Sequence, residues 1–167
     1  MLIFFLIVIG FLMRLIPHVP NITPIAAIAI FSAAYLNKKV YVWIPFVIMV
    51  VTDLFIVLHE VIFFTWGSFI LISFFGRYLK NNLNVKNIFI VSVFSSLIFF
   101  IVSNFGVWLM FYPHSIQGFY LCFLKAIPFF RNTFFSNVIF SFLFFGIYEF
   151  LSIFIKKTSF SKILLVK

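Results

Sequence analysis

NIFIVSVFSSLIFFIVSNFGVWLMFY, residues 87–112, runs for 26 residues without a charged side chain. As an α-helix rising 1.5 Å per residue it reaches ~39 Å, more than the ~30 Å of hydrocarbon in a bilayer. Its apolar residues do not alternate at period two, which argues against a membrane β-barrel strand. Five further apolar segments follow the same pattern: 2–16, 24–36, 40–58, 61–79 and 132–155. Between the last two segments lies 113–131, less regular, with an apolar piece at 119–128 that carries Lys125. Its polar flanks predict a short interfacial or re-entrant helix.

Composition points the same way. Of 167 residues, 65% are hydrophobic and 9% charged, too few polar side chains to cover a water-soluble surface. The expected fold is an all-α integral membrane protein: a single six-helix transmembrane domain over 1–155 and a short basic tail over 156–167. The first segment has no basic region before it and no small-residue cleavage site after it, so it reads as a retained helix rather than a signal peptide. The formal charge of +9 invites a nucleic-acid reading. The basic residues, however, sit in short loops and in the tail, where topology explains them. One cysteine, Cys122, excludes an intrachain disulfide and a multi-cysteine metal site. The thirty phenylalanines read as compositional bias, and stripes of them carry no functional weight.

Charge orients the segments. If all six cross, nine of the twelve basic residues fall on one side: Lys38, Lys39, Arg77, Lys80, Lys86, Lys156, Lys157, Lys162 and Lys167. Arg14, Lys125 and Arg131 fall on the other. The positive-inside rule makes the nine-charge side, and both termini, cytoplasmic.

The stretch RLIPHVPNITPIAAIAIFSAAYL, residues 14–36, is the odd one. Its helical part, 24–36, reaches only ~20 Å. Thr23 supplies a capping hydroxyl, and Pro24 suits the first helical position because it gives up an amide that has no partner there. A short helix starting below the surface leaves room for a cavity at its amino end. Ala29 and Ala33, four apart, share a face that permits close helix approach. That face serves packing within the chain or contact with a partner protein.

On the six-helix topology the polar side chains collect in the outer half: Arg14, His18, Asn21, Asp53, His59, Asn104, Trp108, His114, Arg131 and Asn132. An ionisable group in hydrocarbon costs about 2.5–3.5 kcal/mol even on the lenient insertion scale, so Asp53 needs a partner, and Arg14 is the expected one. Aromatic walls, amides and imidazoles together suggest an outward-open site for a small solute.

The sequences RLIPHVPNITPIAAIAIFSA (14–33), TDLF (52–55), SNFGVWL (103–109), YPHSIQG (112–118) and AIPFFRNT (126–133) resemble a family of small bacterial multi-pass membrane proteins described as transport proteins, without an established function. More distantly, that family is similar to the substrate-binding S components of energy-coupling-factor transporters. The resemblance implies a bacterial inner-membrane location and six helices. It also implies a solute bound from outside, and a transmembrane coupling protein with ATPase subunits as partner. Those S components carry an alanine-x-x-x-alanine contact face, which Ala29 and Ala33 resemble.

No phosphate-binding glycine loop is present, so energy for transport would come from another chain. His59-Glu60 lacks the second histidine of H-E-x-x-H, and no G-x-S-x-G occurs, so no enzyme and no cofactor are expected. The alternatives to solute capture are transition-metal uptake through the outer histidines with Asp53 and Glu60, and a structural or assembly role without ligand. A reporter fused after Lys167 should give a cytoplasmic signal; an external signal would overturn the six-crossing topology.

Overall fold

The structure is a computed structural model that describes residues 1–16, 19–36, 40–56 and 58–157. Among them are six α-helices: α1 (Leu2–Leu15), α2 (Ile25–Tyr35), α3 (Val40–Phe55), α4 (Ile62–Gly76), α5 (Val85–Phe111) and α6 (Ile116–Lys156). A 3₁₀ turn, Arg77–Lys80, prolongs α4. Three helical stretches, Ile62–Lys80, Val85–Phe111 and Ile116–Lys156, are long and apolar enough to cross a membrane. The first three helices are shorter, at 14, 11 and 16 residues.

Helix α2 is the centre of the bundle. It touches each of the other five helices. Ten consecutive residues, Ile25 through Ala34, are buried, so no face of α2 is left over for lipid or a partner. Ala29 and Ala33 are fully buried, and the partner contact expected there is corrected accordingly: the small side chains are used inside the chain. Their size admits α4. A Cβ added to Gly76 would come within 2.8 Å of the Ile30 Cα and 3.3 Å of the Ala33 Cβ, which is the backbone approach that small residues permit between apolar helices.

Both ends of α2 are tied down. At its start, the Ile25 amide donates to Thr23 Oγ1 at 3.3 Å, with Pro24 just outside the helix. At its end, Arg77 Nη1 donates to the carbonyls of Ala33, at 2.9 Å, and Leu36. A cation there also suits the negative end of the helix dipole. The same guanidinium lies 4.9 Å from the centre of the Tyr41 ring. Nearby, Tyr35 donates to Glu149 Oε1. Rings of Phe31, Tyr35, Phe145 and Tyr148 pack edge-on or tilted around that end.

Helix α6 corrects the expected break between the last two segments. No separate interfacial helix lies between α5 and α6; residues 116–156 form one helix of 41 residues. Pro128 removes one internal hydrogen bond, yet the helix continues through it. Packing against antiparallel α5 secures both sides of the proline. Phe100 of α5 meets Phe123 at 5.5 Å and Phe130 at 5.0 Å, and Cys122 Sγ lies 3.5 Å from the Asn104 carbonyl. Residue 132, taken as the start of the sixth segment, is therefore inside a helix that begins sixteen residues earlier. Of the expected tail, 158–167 lies outside the described residues.

Gly76→Val should lower stability by about 1–3 kcal/mol through overpacking against α2. Gly146→Ala, where an added Cβ meets nothing within 4 Å, should leave stability unchanged or raised. Thermal unfolding in detergent checks the pair.

Candidate functional site

The carboxyl ends of α1, α3 and α5 meet the amino ends of α2 and α4 at one end of the bundle. Arg14, in the last turn of α1, crosses there to α3. Its Nη2 donates to Asp53 Oδ1, and its Nε donates to Thr52 Oγ1 at 2.7 Å. Trp66 of α4 donates from Nε1 to the other carboxylate oxygen, Oδ2, at 2.8 Å. The expected Arg14–Asp53 ion pair is thus formed, with side chains 11% and 3% exposed. Burial makes the pair dependent on itself. The Asp53 carboxylate is shielded from bulk water, and the tryptophan N–H bonds the oxygen that Arg14 leaves.

Arg14 also lines a cleft of about 730 Å³. One wall is Arg14 with Asn21, Thr23 and Ala26 from the α1–α2 connection and the first turn of α2. His59 lines it from the α3–α4 connection. The facing wall belongs to α4, α5 and α6: Thr65, Ser103, Asn104, Thr133 and Asn137, interleaved with Phe69, Phe99, Phe100, Phe129 and Phe130. Asn21 sits at φ 66°, a left-handed conformation that asparagine tolerates better than most residues. The connection it belongs to is pinned to α6 on its other side: Asn132 Nδ2 donates to the Pro20 carbonyl at 3.2 Å, and Ser136 Oγ to the Thr23 carbonyl at 3.0 Å.

The sequence model of DUF6580, a family of unknown function, matches residues 1–161. The chain belongs to that family. No curated protein and no solved structure matches it. Chemistry in this DUF6580 chain therefore has to be read from the cleft itself.

The polar groups of the cleft are divided by role. On the wall of α4, α5 and α6 four side chains turn a donor back onto their own helix, to the carbonyl four residues earlier. Thr65 donates to Val61 at 3.2 Å, Ser103 to Phe99 at 2.6 Å, Asn104 Nδ2 to Phe100 at 2.7 Å, and Thr133 to Phe129 at 3.1 Å. Hydroxyl and carboxamide oxygens keep lone pairs after donating, so this wall is rich in acceptors. Asn137 spends both amide hydrogens on Ser92 O, at 2.8 Å, and Ser96 Oγ, at 3.2 Å. The opposite wall holds the strongest donor. Among the described residues Arg14 uses two of its five N–H groups, on Thr52 and Asp53.

Of the residues expected at the site, Arg14, Asn21, His59 and Asn104 line the cleft. Asp53 does not; it is 2% exposed and holds Arg14 and Trp66. Trp108 and His114 are corrected out of the cleft. They build the α5–α6 turn: Trp108 Nε1 donates to Pro113 O at 3.1 Å, and His114 Nε2 lies 3.0 Å from Leu109 O. Arg131 and Asn132 are also corrected out, since they line a separate groove on the outside of α6. His18 lies outside the described residues. Among those described, no three histidine, cysteine, aspartate or glutamate side chains gather where a metal ion could be held.

Thr65, Ser103 and Thr133 were missed as lining residues. Thr133 and Asn137 are four apart and so share a helix face, which was the available signal. It is a weak one, because hydroxyls in apolar helices commonly bond their own backbone.

Asp53→Leu should destabilise the protein by about 3–5 kcal/mol, because it strands the Arg14 charge. The double variant Arg14→Met with Asp53→Leu should recover most of that loss. Thermal unfolding of the three proteins in one detergent measures it; equal losses in the single and double variants would show that the pair is not coupled.

Proposed function

We propose that this DUF6580 chain is a solute-capturing membrane subunit, similar in role to the S components of energy-coupling-factor transporters. In this reading all six helices cross a bacterial inner membrane, both termini are cytoplasmic, and the cleft opens outward. A separate transmembrane coupling protein with ATPase subunits supplies the energy. The observation that carries the reading is the cleft. Its volume of about 730 Å³ falls within the roughly 300–1,000 Å³ usual for small-molecule sites, and it combines aromatic walls with a few convergent polar groups.

The division of donors and acceptors narrows the solute. Arg14 is already neutralised by Asp53, and Asp53 has no free oxygen to offer. A charged solute would lose its hydration without gaining a counter-ion, at a cost of at least several kcal/mol. The favoured solute is therefore uncharged. Phenylalanines on α4, α5 and α6 suit a ring. The ring would present a carbonyl or ring nitrogen to Arg14 and N–H or O–H groups to Thr65, Ser103, Asn104 and Thr133.

Two competing readings differ in support. Among the described residues metal uptake finds no favourable grouping, since Asp53 is consumed by Arg14 and Trp66, and His59 and His114 serve different places. A purely structural role is favoured by one observation: the Arg14, Thr52, Asp53 and Trp66 network is complete without a ligand.

Native mass spectrometry of gently purified protein separates the two. The expected result is one uncharged organic adduct per chain, whose exchangeable hydrogens are counted by deuterium exchange after release. Asn104→Leu should weaken its retention roughly tenfold, the scale of one hydrogen bond lost in a buried site. A ligand-free spectrum from folded protein in several mild detergents would favour the structural role. A charged adduct would keep the capture role and refute the solute class.

A further inference from the structure

We infer that the groove on the outside of α6, with Arg131 at its mouth, binds an anionic phospholipid. The groove has a volume of about 440 Å³ and lies between the α1–α2 connection and α6. Its lining is Ile22, Phe135, Ile139 and Phe140, with Arg131 and Asn132 at the polar end and Ser136 between. Asn132 and Ser136 donate to the Pro20 and Thr23 carbonyls and so hold the connection in place. Arg131 is exposed and takes no part in the one ion pair found among the described residues, which joins Arg14 to Asp53. The groove is thus a cation set over an apolar channel.

Its depth fits a lipid. Arg131 precedes Lys156, at the far end of α6, by 25 residues, ~37 Å of helix at 1.5 Å per residue. A bilayer has ~30 Å of hydrocarbon and ~40–45 Å with its headgroup layers. That length suffices to put Arg131 and Lys156 in opposite headgroup layers. Asn132 agrees independently, because it is bonded to the turn between α1 and α2, where the chain reverses. Phe135, Ile139 and Phe140 follow Arg131 by four, eight and nine residues, ~6–14 Å deeper, at the level of acyl chains. Phe135 and Ile139 are 55% and 54% exposed, which leaves them for an acyl chain to cover. A phosphate at Arg131 and an acyl chain along this strip satisfy both halves of the groove. Free phosphate would use only the first half, and an apolar helix only the second.

Native mass spectrometry of detergent-solubilised full-length chain, titrated with palmitoyl-oleoyl phosphatidylglycerol and with the matching phosphatidylethanolamine, tests the assignment. Phosphatidylglycerol should bind one per chain, more tightly than phosphatidylethanolamine. Arg131→Gln should weaken phosphatidylglycerol roughly fivefold, the contribution of one basic residue next to an anionic lipid, and leave phosphatidylethanolamine unchanged. Arg131→Lys should keep the preference. Lys125→Gln, on the same helix but outside the groove, should not alter it. Ile139→Trp, which fills the channel, should weaken both lipids. Equal binding of the two lipids by the wild-type chain, or an Arg131→Gln variant with unchanged preference, would overturn the inference. Displacement of phosphatidylglycerol by millimolar inorganic phosphate would overturn the lipid in favour of a phosphate site. Because the solute cleft is not involved, these outcomes are independent of what the cleft binds.

Discussion

Helix α2 must pack against five neighbours although it is only eleven residues long, and much of the bundle is arranged around that requirement. Alanines make it thin, so backbones can come close; Gly76 is where α4 does so. In an apolar surrounding, helix association draws little on the hydrophobic effect and depends on close contact and satisfied polar groups. The polar groups of α2 follow that logic. Ser32 bonds the Ala29 and Tyr41 carbonyls, and Arg77 bonds the last carbonyls of the helix. A longer, bulkier α2 would fill its own amino end. The short one leaves a space there.

That space becomes the cleft because its surroundings are fixed independently. The Arg14–Asp53 pair ties α1 to α3, and Trp66 adds α4. On the far side, Asn132 and Ser136 hold the α1–α2 connection to α6. Neutralising Arg14 within the wall also sets the character of the cavity: a donor remains, without a net charge to attract an ion. The back-bonded hydroxyls of α4, α5 and α6 complete the contrast, since they offer acceptors only where their own helices have already claimed the hydrogens.

Continuity of α6 separates two surfaces that would otherwise merge. Thr133 and Asn137 turn into the cleft, while Arg131, Phe135 and Ile139 turn outward. At 100° per residue, positions two apart, such as Thr133 and Phe135, fall on opposite sides of one helix. Residues 129–137 therefore contribute to the cleft and to the outer groove at the same depth.

Much of the fold was legible in the sequence. Six apolar segments, most of their boundaries and the shortness of α2 follow from run length and from Thr23-Pro24. The need for an Arg14–Asp53 pair follows from the cost of isolated charge in hydrocarbon. What the sequence could not decide was direction. Run length says that 113–131 is irregular, but only packing against α5 shows that the helix carries on through Pro128. The expected topology puts Trp108, His114, Arg131 and Asn132 in the outer half, yet depth is not azimuth, and those four face a turn and an outer groove instead of the cleft. Ala29 and Ala33 carry the same ambiguity: a small-residue face specifies a close contact without saying with what. Each of these was settled by which helix lay opposite, a property that arises only when all six are assembled.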